Sequence, residues 1–423
     1  MVYLSLLLAL GACADKDKGA DSGGAAAPEP PYSDEALDAI DLTRIKADVD
    51  LLADDALGGR HPQSVGHAAA RDHIIGELSE IGLEPAGEDG GYTQTFTLPE
   101  PLVRYALDAD GAVVEIAADT GVNIAALLPG VDPARASETI VLMAHYDHLG
   151  VDASGDAYNG AFDDATGVAA LLELARFLAA SEPLPRSVLF LITDMEEGGL
   201  NGARAWVNEP TLPLDDVVLA ISVDPLGRGM LPDFAPLVLL GLERSPALRA
   251  RIDALRAFSD VQVAFVNRGE IPVFASDQDT FYEPEDPVAA FWYVSPGMTW
   301  YHTTDDTADT IDYRTVKAHT RFLAQITGDI GRGEERFEDG GAAELSAEDA
   351  AEAARLLDGV LGSAELSAGE IRTATDLRDQ LDEAAESGVI DTSVQGAYLS
   401  AAIFVLLDLT EAHPGEVPPP WPE

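Results

Sequence analysis

The feature that most constrains this chain is a set of apolar runs that do not alternate. "ETIVLMAHYDH" (138–148), "RSVLFLITD" (186–194) and "DVVLAISVD" (216–224) are apolar at successive positions. Side chains along a strand point to opposite faces in turn, so such runs bury both faces. Between them lie segments of helical character, "DDATGVAALLELARFLAA" (163–180) and "GARAW" (202–206). Farther on, helical "SPALRARIDALRAF" precedes strand-like "VQVAFV" and "VAAFWYV", and the helix "RTVKAHTRFLAQITGDI" follows. Doubly buried strands alternating with helices predict an α/β fold: a mixed, mostly parallel central sheet with helices on both faces.

The flanks read differently. Residues 35–96 are expected to be helical with turn punctuation, and "HAAARDHIIGELSEIGL" carries Ile74, Ile75, Leu78 and Ile81 at helical spacing. Residues 333–341 are rich in Gly and Glu and mark a boundary. Beyond it, "LSAEDAAEAARLL" and "LSAGEIRTATDLRDQL" each place an acid three residues after a serine, a capping box. With "VQGAYLSAAIFVLLDL" they predict a small C-terminal helical segment. At the other end, Val2 to Ala12 form an apolar run of signal-peptide length, too short to span a bilayer. "LGAC" at its end resembles a bacterial lipobox, with Cys13 as the lipidated residue. The organisation expected is a lipoprotein-type signal peptide at 1–13, a flexible linker at 14–34, a main domain at 35–332, a linker at 333–341 and a helical extension at 342–423. The location expected is the bacterial cell envelope, lipid-anchored, with secretion as the alternative, and membrane contact only through Cys13.

Charge and cysteine content narrow the chemistry. The chain carries 75 acidic and 25 basic residues, a net charge of −50. Such a surface repels nucleic acid and anionic lipid, and it suits solubility at high ionic strength better than a specific cationic partner. Cys13 is the only cysteine, so any metal site must be built from His, Asp and Glu.

Strand ends are where open α/β sheets place their chemistry. The first run ends in His145-Tyr146-Asp147, the second in Glu196-Glu197 and the third in Asp224, while loops contribute Asp163 and His302. Each piece has a structural reading too: a turn pair, a solvated face, a helix cap by Asp164 or Thr166, a strand-end histidine. Together, two histidines and three carboxylates could hold a pair of divalent ions sharing a bridging carboxylate, with one glutamate to spare.

"AHYDHLG", "NGAFDDATGVAALLELAR", "DMEEGGLNGA", "ISVDPLGR", "SDQDTF" and "YHTTDDTADTID" resemble the successive motifs of the co-catalytic zinc exopeptidases, peptidase family M-28, which includes bacterial leucyl aminopeptidases and aminopeptidase Y. The similarity spans roughly residues 45–330. It implies a zinc-exopeptidase (phosphorylase/hydrolase-like) fold and two zinc ions per chain. Of these, His145 and Asp224 would hold one, Glu197 and His302 the other, and Asp163 would bridge them. It further implies Glu196 as general base, Asp147 as the residue orienting His145, and Tyr301 as an oxyanion stabiliser. Peptide or protein N-termini would be the substrates, hydrolysed at the N-terminal bond. A glutaminyl-peptide cyclotransferase, or another exopeptidase or amidohydrolase on the same scaffold, is the alternative. The chain departs from the pattern at Phe162, Ala203, Gln278 and Pro225, none of them a ligand position. Only about 25 residues separate "YTQTF" from "NIAALLPG", so a protease-associated insert is expected to be absent. "FWYVSPGMTW" is either a substrate wall or core strand plus loop.

Overall fold

The computed structural model describes residues 29–229, 231, 234–270, 275–363 and 366–406. The signal-peptide and Cys13 expectations, most of the 14–34 linker and the segment after 406 lie outside the described residues.

A short helix, α1 (Asp34–Leu37), leads into α2 (Leu42–Leu52) and α3 (Val65–Ile81). Asp41 and Ser64 cap the latter two by accepting the Thr43 and His67 backbone N–H groups. Gly82, at φ 95°, closes α3 in the left-handed conformation that glycine adopts without steric cost.

Strand β1 (Glu84–Pro85) is followed by a long antiparallel hairpin, β2 (Thr93–Leu107) and β3 (Val113–Leu128), with a register shift between Thr97 and Leu102. This hairpin departs from the expectation of helices and turns up to residue 96. The strand core follows as expected: β4 (Thr139–His145), α4 (Thr166–Ala180), β5 (Ser187–Thr193), α5 (Asn201–Asn208) and β6 (Val217–Val223). Next come β7 (Leu237–Leu240), α6 (Pro246–Leu255), β8 (Val263–Val266), β9 (Ala290–Val294) and α7 (Tyr313–Arg332). The sheet order is β1-β3-β5-β4-β6-β9-β7-β8, with β2 paired to β3. Strands β5, β4, β6 and β9 are mutually parallel, while β3 and β7 flank them antiparallel.

Alternate residues of the central strands enter different cores. Ile140, Leu142, Phe190, Ile192 and Ile221 face a layer made by α2, α3, α4, α6 and α7. Val141, Met143, Leu189, Leu191 and Ala220 face Trp206 of α5 and Phe281. On that second face, β9, β7 and β8 are covered by helices from the C-terminal segment: α8 (Ala347–Leu361), α9 (Ala368–Ser387) and α10 (Thr392–Leu406). Both expected capping boxes form, at Ser346/Asp349 and Ser367/Glu370. The C-terminal helices thus complete the second covering layer of the sheet. The segment before them is anchored: Asp339 pairs with Arg244, and the Glu335 carbonyl accepts from Arg186. Among the described residues, no helix is long and apolar enough to cross a membrane.

Candidate metal centre

From β4 the sheet grows first to β5 on one side and then to β6 on the other. This reversal opens a crevice at the carboxyl ends of the strands, the usual ligand position in open α/β sheets. His145 is the last residue of β4, and Asp224 directly follows β6. Glu196 and Glu197 begin a short turn after β5, entered through Met195 at φ 57°. Asp163 belongs to an irregular turn just before α4, and His302 sits in the loop after β9 with φ 57°. A non-glycine residue in the left-handed region is uncommon and clusters at functional sites.

The two oxygens of Asp163 point in different directions. Oδ1 lies 2.9 Å from His145 Nε2, and Oδ2 lies 3.0 Å from His302 Nε2. On the His145 side, Asp224 Oδ1 is 3.6 Å from Nε2, while Asp224 Oδ2 accepts a 2.6 Å hydrogen bond from Ser276 Oγ. On the other side, Glu197 Oε2 is 3.1 Å from His302 Nε2, and Glu197 Oε1 is 2.5 Å from His148 Nδ1. Donor atoms of His145, Asp163 and Asp224 lie within 4.8 Å of one another, and so do those of His148, Asp163 and Glu197. Tyr301 stacks on the His302 ring with centroids 3.8 Å apart. All eight side chains singled out in the sequence therefore gather in one crevice.

Asp147 lies against His145 through both its main chain and its side chain. His145 Nδ1 meets the main-chain oxygen of Asp147 at 3.1 Å, nearer than its carboxylate at 3.6 Å. A carbonyl only accepts, so this contact places the proton on Nδ1 and turns the Nε2 lone pair toward Asp163 and Asp224. The Asp147 carboxylate accepts the backbone N–H groups of Glu196 (3.0 Å) and Glu197 (3.4 Å). It fixes the glutamate turn.

Asp164 supplies the cap foreseen as its structural reading, accepting from Gly167 N–H at 3.0 Å and from His145 N–H at 3.2 Å. Thr166 Oγ1 donates to the Phe162 carbonyl and accepts from Leu226 N–H. In "FWYVSPGMTW", residues 291–294 are buried strand, so only the loop after Val294 is left to face substrate.

The electrostatics of the crevice call for positive charge. Burial disfavours a charged His302, yet Glu197 and Asp163 outweigh it and push the imidazole up to about 10. Against the same burial, Asp224, Glu196, Asp147 and Asp163 hold His145 well above its ordinary value. Burial alone would raise Asp163, but His145 and His302 hold it well below the carboxylate range. Glu196 is the opposite case: burial lifts its carboxyl well above the usual range, and Asp224, Asp277 and Glu197 add to the effect despite His145. Nitrogen and carboxylate donors around a cation-demanding pocket fit zinc. The fit is reinforced by Asp163 Oδ2 and both Glu197 oxygens, which are buried and form no hydrogen bond.

Sequence reasoning passed over four residues. His148 enters the cluster directly. Ser276 holds Asp224. Asp306 accepts from Phe162 N–H (2.9 Å) and Asp163 N–H (3.2 Å), and Arg228 pairs with Asp306 at 2.6 Å. Arg228 also covers the Phe162 ring, its guanidinium carbon 4.6 Å from the centroid. All four lie in the quoted motifs, but nothing in the spacing distinguishes them from ordinary polar neighbours.

The structure is a doubly covered mixed sheet with a His/Asp/Glu cluster, able to hold metal, at its switch point. Residues 123–327, just under half of the chain, match peptidase family M28, in keeping with the resemblance carried by the sequence motifs. The vacuolar membrane protease of Candida albicans is 30% identical over 151 residues, covering 36% of this chain and 15% of that protein. A probable zinc metalloprotease of Pyricularia oryzae is 34% identical over 178 residues, covering 40% and 32%. This chain spans only part of the length of those relatives. The structure resembles a zinc aminopeptidase from Bacillus subtilis with a TM-score of 0.55 at 14% identity, over 70% of this chain and 96% of that one. At that identity the likeness is one of fold.

The relatives also correct the expected location. Several fungal proteins that match are named for a vacuolar membrane, which overturns the lipid-anchored bacterial envelope expectation.

Proposed function

We propose that the protein is a zinc aminopeptidase that hydrolyses the N-terminal bond of peptides or proteins. The observation that carries this reading is the divided Asp163 carboxylate, with one oxygen 2.9 Å from His145 and the other 3.0 Å from His302. That geometry supports His145 and Asp224 as ligands of one ion, Glu197 and His302 as ligands of a second, and Asp163 as the bridge. Zinc held there supplies Lewis acidity for the scissile carbonyl and lowers the pKa of water toward neutrality.

The chain's own groups do the rest. Glu196, unligated beside the cluster, takes a proton onto its carboxylate from the attacking water and passes it to the leaving amine. Burial raises the Glu196 carboxyl, and with zinc bound nearby that carboxyl would be drawn back toward its base form. Asp147 fixes the Glu196 main chain from its backbone N–H, and so aims that base. Tyr301 presents a hydroxyl, kept protonated by burial and the surrounding carboxylates, to the developing oxyanion. The acidic lining receives the substrate's α-ammonium group. In this reading residues 35–332 form the catalytic domain and the helices beyond 341 an extension that covers its sheet. Nothing specific in the crevice favours the cyclotransferase alternative.

The test is release of the aniline from a panel of aminoacyl-anilides by zinc-loaded protein, with loss on chelation and recovery on zinc addition. No turnover of any member by protein containing zinc refutes the assignment.

A further inference from the structure

His148 follows the His-x-Asp triplet and has no role in the reading above. Its side chain is fully buried, with Nδ1 2.5 Å from Glu197 Oε1 and 3.9 Å from Asp163 Oδ2. We propose that His148 is a further metal ligand, binding through Nδ1 the ion that Glu197 and His302 share. The proposal rests on the metal-centre reading above and deepens it.

Three observations support it. First, neither nitrogen of His148 and neither oxygen of Glu197 forms a hydrogen bond, although all are buried and the two groups approach closely. A buried polar atom left unmade costs about 1–3 kcal/mol. Close N···O approach without hydrogen-bond alignment is the arrangement of donors gathered around a common centre. Second, the ring's position is built in. Gly160 lies against it, and a Cβ there would stand 2.6 Å from His148 Cδ2. The His148 backbone N–H is tied to the Arg60 carbonyl at 3.3 Å. Third, the His148 and His302 rings meet edge to face with centroids 5.7 Å apart. Two imidazoles can therefore approach one ion from different directions.

The consequence is an asymmetric pair. The His145 side offers three protein groups (His145, Asp163, Asp224), the arrangement that leaves a coordination position open. The other side offers four (His148, Asp163, Glu197, His302), the arrangement of closed, tightly held zinc sites. The His148 side should load first and release last.

The test uses the full chain, labelled with 15N-histidine, stripped of metal and titrated with Co(II). Paramagnetic NMR then counts the exchangeable imidazole N–H signals that are hyperfine-shifted. Two signals at the first equivalent and three at the second are expected. His148→Ala should leave two at saturation and weaken the first equivalent by more than the roughly 10–100-fold that loss of a hydrogen-bonding neighbour causes. Only two shifted imidazoles with two equivalents of Co(II) bound to the unaltered protein, or no shift of His148 at any loading, would overturn the proposal, and that reading needs no variant to fold. First-equivalent affinity unchanged in a folded His148→Ala would overturn it as well. Uptake of a single Co(II) that shifts both His148 and His302 would remove the bridged pair but leave the His148 assignment standing.

Discussion

Asp306 is the residue whose loss should be felt most widely. Its carboxylate is fully buried, accepts the Phe162 and Asp163 N–H groups, and pairs with an Arg228 that is only 5% exposed. Arg228 also donates to the Thr299 carbonyl at 2.9 Å and to Thr310 Oγ1. Removing one partner of a buried pair costs roughly 3–5 kcal/mol, and each stranded backbone N–H about 1–3 kcal/mol. These penalties share one carboxylate and overlap, so Asp306→Ala is expected to destabilise by about 4–6 kcal/mol, with the pair as the larger part. Asp306→Asn keeps the volume and one acceptor, and should cost about 2–3 kcal/mol. Urea unfolding measures both, and an unchanged m-value would confirm that the native state is the one affected. A cycle with Arg228→Met isolates the pair: the double variant should be more stable than the sum of the singles by about 2 kcal/mol or more. Because Asp306 holds the Asp163 main chain, metal affinity should fall with stability. A cost below about 1 kcal/mol for Asp306→Ala, or no coupling in the cycle, would refute this reasoning.

Other outcomes follow from the same structure. Glu196→Gln should keep bound zinc while kcat falls roughly 10²–10⁴-fold, the range for a lost general base; near-normal turnover would remove Glu196 from that role. Burial pushes Glu243 up to about 7, above its unfolded value of about 4.3. The folded state therefore favours the protonated form, and this stability is complete below about pH 4 and lost as pH rises through 7. Glu243→Gln should stabilise the fold at pH 8 but not at pH 4.5, by at most roughly 4 kcal/mol, read as a rise in Tm; an equal effect at both pH values would contradict the assignment. His319, buried and pushed down to about 3, has the opposite sign: its contribution is complete above about pH 6.5 and lost as pH falls toward 3. Ser367→Ala removes the acceptor for Glu370 N–H and should cost about 1 kcal/mol, visible as faster hydrogen exchange at the start of α9.

The parallel core was legible because β4, β5, β6 and β9 are buried on both faces and therefore apolar at every step. The β2–β3 hairpin was not. Most of β2 is half-buried or exposed, and Pro99 and Pro101 interrupt it, so the run reads as loop. Strand β7 was passed over because four residues, Leu237–Leu240, form too short a run to separate from helix. The site's donors were readable because His145, Glu197 and Asp224 stand at or just after strand ends and Asp163 and His302 lie in loops within the same ordered motifs. His148 and Asp306 were not, since their partners Glu197 and Asp163 are distant in sequence and become neighbours only when the strands align. That Asp147 meets His145 more closely through its main-chain oxygen than through its carboxylate is a detail no sequence pattern carries.

The central claim is that Asp163 sits between two ions. Anomalous diffraction at the zinc edge from crystals of the zinc-loaded protein tests it most directly. Two peaks about 3.5–4 Å apart, one on the His145–Asp224 side of Asp163 and one on the Glu197–His302 side, are predicted. A single peak at full zinc loading, or a pair not joined by Asp163, would contradict it.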